Sequence, residues 1–288
     1  MRVVITGGRG FLGRRLALLL LDRGSSLGPI DELVLFDNAA SALPLPRDRR
    51  LRQVTGDIAD RKTVGALLAP GAAAVFHLAA VVSGQAEADT DLGYRVNLDG
   101  TRAVLDACRA LASCPRVVFA SSLAVYGGAL PPTVGDDTAL TPQSSYGAQK
   151  AIGELLVNDY SRKGFVDGRA LRLPTVVVRP GRPNRAASSF ASSIIREPLA
   201  GRDAICPVAP DLIMALVSPR RVVAALHHAH ELPGEAFGAS RSLQLPGFSV
   251  AVGDMAEAVR RAGGAAAHAR ISWQRDPQIE AIVAGWPR

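Results

Sequence analysis

A tyrosine and a lysine four residues apart, Tyr146 and Lys150, are the first residues in this sequence whose types and spacing point to chemistry. On a helix, two side chains at this spacing share one face. A free phenol has a pKa of about 10 and is a poor base at neutral pH, but an adjacent ammonium favours the phenolate and lowers that pKa. Tyr146 could then accept a proton from a substrate hydroxyl. Taken alone, the pairing is common, and an exposed helix face explains it as well.

Ser121 and Ser122 follow a predicted strand, residues 116–120, and add a second polar group. Ligands of parallel sheets bind at the carboxyl ends of the strands, where such a hydroxyl could orient a substrate oxygen toward the tyrosine. A turn or capping serine is the alternative. No histidine–aspartate partners accompany the serines, so a hydrolase triad is not supported. The histidines lack metal-ligand spacing, and no metal is expected. His227, His228 and His230 are interpreted as surface or packing residues on a helix of the C-terminal part.

A glycine-rich run, T-G-G-R-G-F-L-G at residues 6–13, follows the first predicted strand and opens the first predicted helix. Gly8, Gly10 and Gly13 satisfy the G-x-G-x-x-G pattern of dinucleotide sites in the context that the pattern requires. Glycines let the backbone approach a pyrophosphate, and the helix N-terminus offers free N–H groups. The candidate cofactor contacts in the run are Gly7, Gly10, Phe11, Leu12 and Gly13.

Asp37, at the end of the second predicted strand, indicates which dinucleotide is bound. A carboxylate there accepts hydrogen bonds from the adenosine ribose and repels the phosphate of NADP, so NAD is expected. The alternatives are a turn aspartate, or binding of that phosphate by the arginines at positions 47–52, which lie ten or more residues further on. Asp57 and Ile58, after the third strand, are candidates to flank the adenine, although Asp57 could equally cap the next helix.

Apolar runs and helical patterns alternate through the first half of the chain. The predicted strands are residues 2–6, 32–36, 51–55, 73–77 and 116–120, and the predicted helices are 11–23, 61–68, 92–111 and 146–162. This alternation predicts an α/β fold, a doubly wound parallel Rossmann sheet. We expect a Rossmann core at 1–178, with a strand at 169–178 interrupted by Pro174. Residues 179–288 are then mainly a small substrate-binding lobe of loops and short helices, from which one strand, 240–245, returns to the core.

The charge and composition limit the classes of partner. The formal net charge is +7, but the basic residues are dispersed, so no nucleic-acid partner is expected. The longest apolar run, residues 16–21, is too short to span a membrane, and the N-terminus does not resemble a signal peptide. Three cysteines without metal-ligand spacing fit a reducing cytosol, so a cytoplasmic protein is expected.

Five motifs in a fixed order resemble the extended short-chain dehydrogenase/reductase superfamily, the NAD-dependent epimerase/dehydratase family. The motifs are T-G-G-x-G-F-L-G, His77-Leu-Ala-Ala80, Asn97-x-x-Gly100-Thr101, Ser121-Ser122-x-x-Val-Tyr-Gly127 and Tyr146-x-x-x-Lys150. The resemblance implies that Ser122 is the catalytic hydroxyl, Tyr146 the acid/base and Lys150 the anchor of the nicotinamide ribose. It also implies that Leu78, Ala79 and Ala80 line the cofactor, that Pro174 and Thr175 face the carboxamide, and that Asn97 shapes the site. A homodimer through helices 92–111 and 146–162 is implied as well.

The family contains several chemistries. Its dehydratases carry an acidic pair directly after the catalytic hydroxyl, where this chain has Leu123 and Ala124, so dehydration lacks its acid and base. Residues 81–89, 146–175 and 179–190 resemble a narrower group, the NAD-dependent sugar-acid dehydrogenases, which usually extend further at the C-terminus. The implied reaction oxidises the C2 hydroxyl of a four-carbon sugar acid. A nucleotide-sugar epimerase and a non-catalytic dinucleotide sensor are the alternatives.

A small anionic substrate needs a charge-assisted partner for its carboxylate. Arg179 and Arg182 stand at the start of the expected lobe and are the candidates, with a surface or inter-lobe ion pair as the alternative for either. Ser83 and Gln85, on a predicted loop over the same cleft, are candidates to contact substrate hydroxyls or the carboxylate.

Overall fold

The computed structural model describes residues 1–39, 45–181 and 186–287. The strands are β1 (Arg2–Thr6), β2 (Glu32–Asp37), β3 (Leu51–Thr55), β4 (Ala74–His77), β5 (Arg116–Ser122), β6 (Asp167–Leu173), β7 (Thr175–Val176), β8 (Ala204–Cys206), β9 (Ile213–Val217), β10 (Ser242–Gln244), β11 (Phe248–Ala251) and β12 (Ile271–Trp273). The helices are α1 (Phe11–Arg23), α2 (Arg61–Leu68), α3 (Ser83–Ala88), α4 (Thr90–Gly93), α5 (Gly100–Ala110), α6 (Ser145–Arg162), α7 (Phe190–Leu199), α8 (Pro219–Glu231), α9 (Val252–His268) and α10 (Pro277–Ala284).

A seven-stranded parallel sheet forms the core, in the order β10-β6-β5-β4-β1-β2-β3. Residues of β1, β2 and β4 are almost all buried, as expected for strands covered by helices on both faces. The chain leaves β1 toward β2 on one side and later returns to β4 on the other. This reversal opens a crevice at the carboxyl ends of β1 and β4, where doubly wound folds bind ligands. The predicted doubly wound parallel sheet is confirmed. Strand β10, from the C-terminal part of the chain, pairs with β6 at one edge of it.

Helices cover both faces of this sheet. On one face, Leu16 and Leu20 of α1 pack with Val222 and Leu226 of α8 against β1 and β2. On the other face, α2, α5 and α6 pack over β4 and β5. Helix α8, which the sequence placed in the lobe, therefore belongs to the core, because its apolar residues four apart match those of α1. His230 of α8 is fully buried and is a packing residue, with Nε2 at 2.7 Å from the Ser25 hydroxyl.

The predicted single helix at 92–111 is in fact interrupted. After α4, residues Tyr94–Asp99 form a π-helical segment that leads directly into α5. A π turn closes its hydrogen bonds between residues five apart and inserts one extra residue into the helix. Hydrophobic periodicity alone cannot reveal such an insertion. Asn97 lies within this segment and is 1% exposed.

The remaining elements form a second, smaller layer with its own core. It contains the sheet β11-β9-β7, the pair β12-β8, and helices α7, α9 and α10, packed around a cluster of residues that includes Phe190, Ile194 and Met255. The 17-residue α9 was not predicted, since loops and short helices were expected in this part of the chain, and its backbone kinks at Gly264, where φ is 78°. In the described parts of the chain, none of the helices has both the length and the apolar character that crossing a bilayer requires.

Candidate active site

A cleft of about 320 Å³ opens at the carboxyl ends of the parallel strands, beside the second layer. It brings together fifteen residues that the sequence analysis singled out: Gly7, Gly10, Phe11, Leu12, Gly13, Leu78, Ala80, Ser83, Ser121, Ser122, Tyr146, Lys150, Pro174, Thr175 and Arg179. These residues come from five separate strand ends or loops and from the three helices α1, α3 and α6. The fold therefore assembles at one place residues that lie far apart in the sequence.

Ser122 and Tyr146 meet because the start of α6 runs very close to the end of β5. A Cβ atom at Gly147 would overlap the carbonyl oxygen of Ala124, so only glycine permits this approach. Ser144 caps the helix by accepting a hydrogen bond from the Gly147 N–H at 3.1 Å, which fixes where α6 begins. The Ser122 hydroxyl lies close enough to the Tyr146 hydroxyl to act on it and to lower its pKa. The pair can therefore hold one substrate oxygen between them.

The protonation of the Tyr146–Lys150 pair differs from the sequence-based expectation. Burial raises the pKa of Tyr146 to about 12, and the Ser122 hydrogen bond and the charge of Arg179 only partly offset that rise. Lys150 does not lower the tyrosine pKa in the chain alone. Its ammonium instead donates to the Ala120 carbonyl at 2.8 Å and lies 5.7 Å from the centre of the Tyr146 ring. Burial lowers the pKa of Lys150 to about 8, opposed by the carboxylate of Glu154.

The glycine-rich loop has the shape that a dinucleotide needs. A Cβ atom added at Gly13 would lie 2.5 Å from the Gly7 carbonyl oxygen, and one at Gly8 would lie 2.6 Å from the Ile5 carbonyl oxygen. The bare backbone therefore faces the cleft where α1 begins. Gly10 precedes the helix without a capping side chain, and the first turn has no acidic residue, so its N–H groups and positive dipole end suit a pyrophosphate.

A chain of buried hydrogen bonds fixes the second wall of the cofactor part of the cleft. His77 Nδ1 lies 2.7 Å from the Thr6 hydroxyl, and its Nε2 lies 3.0 Å from the Thr101 hydroxyl. Complete burial lowers the pKa of His77 to about 3, so the ring is neutral and acts as a fixed link. Thr6 also accepts the Ala79 N–H at 3.3 Å. Ala79 therefore contributes its backbone next to Gly7, while Leu78 and Ala80 line the cleft.

Asn97 does not line the cleft but fixes the chain that does. Its side-chain oxygen accepts the Val81 N–H at 2.8 Å, and its amide donates to the Val81 carbonyl at 3.2 Å and to Gln149 at 2.8 Å. It thereby joins the segment after β4 to α6. This placement agrees with the shaping role that the family resemblance implied, and the role itself stays a prediction.

Asp37 lies at the end of β2, where the adenosine ribose is expected. One of its carboxylate oxygens accepts the Arg9 N–H at 3.1 Å. The Arg9 guanidinium, which the sequence analysis did not consider, donates to the Ala39 carbonyl and to the Thr55 hydroxyl, each at 2.8 Å. Arg9 could have been found from the sequence, since the loop after β1 must lie beside the end of the neighbouring β2.

Asp57 and Ile58 follow β3, away from the main cleft. Asp57 forms a half-exposed ion pair with Arg95 at 2.6 Å, and its carboxylate also accepts the Ala59 N–H. Ile58 is buried against Gly100 of α5. Contact of either residue with the adenine stays a prediction.

Replacing Asp37 with alanine is expected to narrow the preference for NAD over NADP by roughly ten- to a hundred-fold, since the carboxylate opposes a 2′-phosphate. Arg9 then becomes available to that phosphate. The measurement is kcat/KM with each coenzyme for the wild type and for Asp37→Ala. In the double variant Arg9→Ala/Asp37→Ala, the gain for NADP should disappear. Equal preference for the two coenzymes in the wild type would contradict the role of Asp37.

Among the substrate candidates, Arg179 and Ser83 line the cleft. The Arg179 backbone is fixed by α7: its N–H donates to the Ser192 hydroxyl at 3.1 Å, and its carbonyl accepts from the Arg196 guanidinium. The Ser83 hydroxyl accepts the Ala187 N–H at 3.1 Å and so joins the core to the second layer. Ser83 and Gln85 both lie in α3 and not in the predicted loop, and Gln85 does not line the cleft. Arg182 lies outside the described residues.

The cleft also has lining residues that the sequence analysis missed. They are Val82, Ala120, Leu173, Val176, Ala186, Ser188, Met214, Ala215, Val283, Trp286 and Pro287. Several flank residues that the motifs had identified. The others come from the segment before α7, from β9 and from the segment after α9, where no motif marks them. Their place in the cleft depends on how the second layer packs against the core, which local patterns do not specify.

Comparison with known proteins supports the family resemblance. A sequence profile described as the NAD dependent epimerase/dehydratase family matches residues 3–233. The chain is 58% identical to D-erythronate dehydrogenase of Cupriavidus necator over 100% of this chain and 90% of that protein. It is 49% identical to D-erythronate dehydrogenase of Haemophilus influenzae with the same coverage.

Solved structures show the same fold. A crystal structure described as the nucleoside-diphosphate-sugar epimerase from Agrobacterium tumefaciens superposes with a TM-score of 0.92 at 42% identity, over 99% of this chain and 85% of that chain. A holo L-threonine dehydrogenase from Cupriavidus necator superposes with a TM-score of 0.86 at 23% identity, over 100% of this chain and 90% of that one. The described relatives thus include both a dehydrogenase and an epimerase.

Proposed function

Because this chain belongs to the NAD-dependent epimerase/dehydratase family, we propose that it oxidises the C2 hydroxyl of a small sugar acid, with D-erythronate as the first candidate. The product would be the 2-keto acid, 2-dehydro-D-erythronate. The enzyme is an NAD-dependent oxidoreductase of the short-chain dehydrogenase/reductase type. Its relatives at 58% and 49% identity carry the name of this activity.

The observation that carries the substrate class is the environment of Arg179. Its guanidinium is half-buried in the cleft and acts electrostatically on Tyr146. Among the residues described, no carboxylate lies within ion-pair distance of it. Burial of an unpaired cation is costly, and here it lowers the pKa of the guanidinium. A substrate carboxylate would pair with this charge, whereas a neutral sugar would leave it unpaired.

The arrangement supports the following mechanism. Ser122 and Tyr146 hold the C2 hydroxyl, and Arg179 holds the adjacent carboxylate, so the substrate is fixed at two points. Tyr146 takes the hydroxyl proton as a phenolate, which the positive charge of bound NAD would favour. The Lys150 ammonium would hold the nicotinamide ribose, as the family resemblance implies. NAD, when bound along the glycine-rich loop, supplies the acceptor for the C2 hydride. The positions after Ser122 are Leu123 and Ala124, which are buried and carry no acid or base for a dehydration.

D-erythronate should be oxidised with a kcat/KM roughly ten- to a hundred-fold above that of erythritol, its neutral analogue. The reason is that a hydrogen bond to a charged group is worth about 1.5–3 kcal/mol. The measurement follows NADH absorbance with NAD and a panel of four- to six-carbon sugar acids. Similar efficiencies for the acid and for erythritol would rule out recognition of the carboxylate.

A nucleotide-sugar epimerase is the second candidate, favoured by the description of the Agrobacterium tumefaciens structure. An epimerase returns its hydride to the substrate and accumulates no NADH, whereas a dehydrogenase does. Epimerisation of a nucleotide sugar without net NADH, together with no turnover of any sugar acid, would decide for this alternative. A non-catalytic sensor is disfavoured by the presence of Ser122, Tyr146 and Lys150 in one cleft.

We also propose that the two parts of the chain bind different ligands. Residues 1–178 mainly bind NAD, and residues 179–288 mainly bind substrate. Helix α8 and strand β10 depart from this division, since both belong to the core. A homodimer through the faces of α5 and α6 is proposed from the family resemblance. Leu155, in the middle of α6, is 65% exposed and suits such a contact. Light scattering of the purified protein would measure the mass of the assembly.

A cytoplasmic location is proposed on the basis of the cysteines. Cys108, Cys114 and Cys206 are all free thiols, and two of them are buried. Fractionation of cells that produce the protein would test this location.

A further inference from the structure

A buried chain of polar groups lies directly below the Tyr146–Lys150 pair. Glu154 follows Lys150 by one turn of α6 and is 2% exposed. Arg172 of β6 is 4% exposed, and its guanidinium donates to both carboxylate oxygens of Glu154 at 2.8–3.1 Å. The Ser121 hydroxyl of β5 donates to the same carboxylate. One buried carboxylate therefore joins α6 to two adjacent strands.

These two strands carry parts of the active site at their ends. The register pairs Ser121 with Arg172 and Ser122 with Leu173. Ser122 directly follows Ser121, and Pro174 comes two residues after Arg172. Arg172 also donates to the hydroxyl of Tyr126 and to a backbone carbonyl at residue 136. The polar chain thus fixes the strand ends that place the catalytic hydroxyl and the expected carboxamide contact.

The groups that surround the Lys150 ammonium come from β5, β4 and α6 itself. From β5, the ammonium meets the Ala120 carbonyl and, at 4.6 Å, the Phe119 ring. From β4 it faces His77, which burial keeps neutral by lowering its pKa to about 3. On α6 itself, its neighbours are the neutral phenol of Tyr146 and the carboxylate of Glu154. Within residues 1–39, 45–181 and 186–287, Glu154 is the one carboxylate that acts on this ammonium.

We propose that Glu154 is a positioning residue for the reaction: its buried carboxylate ties together the ends of β5 and β6 and attracts the Lys150 ammonium, which lies one turn away on α6. The positive charge of Arg172 balances the negative charge of this carboxylate, so the carboxylate can be buried. The inference rests on the proposed dehydrogenase function as far as the rate is concerned. Its electrostatic part concerns Lys150 alone and can be measured without substrate.

The first test is the pH dependence of kcat. Activity needs the Lys150 ammonium, so the alkaline limb of the profile follows loss of its proton. Glu154→Gln removes the negative charge, lowers the pKa of Lys150 and should move that limb to lower pH by about one unit or more. Arg172→Met leaves the carboxylate without its counter-charge and should move the limb to higher pH. A purely structural ion pair predicts a lower rate in both variants and no movement of the limb.

The second test reads Lys150 directly. The chain has three lysines, Lys62, Lys150 and Lys163, of which the first and third are exposed. In protein labelled with ¹³C at the lysine Cε atoms, the titration of each can be followed by NMR without cofactor. The Lys150 signal, assigned by its loss in Lys150→Met, should titrate below the other two. Its midpoint should fall in Glu154→Gln and rise in Arg172→Met, and an unchanged midpoint in both would overturn the proposal.

Further variants keep the test decisive if a single charge change prevents folding. Glu154→Gln/Arg172→Met leaves no unbalanced buried charge. The charge of Glu154 raises the pKa of Lys150, so the Lys150 midpoint should still fall in this variant, and an unchanged midpoint would overturn the proposal. Ser121→Ala keeps both charges and should lower kcat without moving the limb. The matched control is Asp159→Asn, an exposed carboxylate on the same helix, which should change neither readout.

The two proposals can fail separately. If the NMR midpoints move as expected while no sugar acid is oxidised, the proposed function is wrong and the role of Glu154 stands. If sugar acids are oxidised and neither the limb nor the midpoint moves in any variant, the role of Glu154 is wrong.

Discussion

Tyr146→Phe is expected to lower kcat by about 10²–10⁴-fold, because the variant keeps the ring but loses the oxygen that exchanges a proton with the substrate. Affinity for NAD should stay within a few-fold of wild type, since the glycine-rich loop and Lys150 are untouched. The measurements are the initial rate of NADH formation with D-erythronate and the binding of NAD by calorimetry.

The matched control for this change is Tyr160→Phe. Tyr160 lies on the same helix and donates its hydroxyl to Asp106, remote from the cleft. That variant should keep the rate of the wild type. If Tyr146→Phe also kept most of its activity, another group would have to be the acid/base.

Arg179→Gln is expected to lower kcat/KM for D-erythronate by roughly ten- to a hundred-fold, because the substrate carboxylate loses its charge-assisted partner. The efficiency with erythritol should fall less, because that substrate loses only the effect of the Arg179 charge on the pKa of Tyr146, so the preference for the acid should largely disappear. For Arg179→Lys, kcat/KM for D-erythronate should lie between the values of the wild type and of Arg179→Gln. An ammonium keeps the positive charge but lacks the planar fork of donors. The comparison requires kcat/KM for both substrates in each variant.

Arg220→Gln is the control for the loss of one positive charge, since Arg220 is an exposed residue of α8. It should leave both efficiencies unchanged. A preference for the acid that survives in Arg179→Gln would move carboxylate recognition to another group.

Local patterns in the sequence predicted the core of this fold well. The observed bounds of β1, β3, α1 and α2 equal those predicted, because each of these elements begins or ends at a clear signal. Asp60 caps α2 by accepting the Lys62 N–H, and Gly24 ends α1 with a φ of 74°. Such signals depend on neighbours in sequence, so they can be read without knowing the fold.

Features that depend on distant contacts were not predicted. The bond between Ser121 and Glu154 spans 33 residues, and that between Ser83 and Ala187 spans 104. Nothing near any of these residues in sequence marks its partner. The pKa of Tyr146 was misjudged for the same reason, since burial by distant segments outweighs the charge of a neighbour four residues away. The catalytic and cofactor roles themselves stay predictions, which the variants above test.

The π-helical segment Tyr94–Asp99 has a consequence for how this region tolerates changes in length. Each residue of an α-helix turns the chain by about 100°, so deleting the extra residue would rotate everything on one side of it relative to the other. Either Asn97 would turn away from Val81, or the buried face of α5 would turn away from the sheet. A substitution changes only the contacts of one side chain. Deletion of one residue here would instead rotate the Asn97–Val81 contact and the packing of α5 on the sheet relative to each other, so both could not be kept.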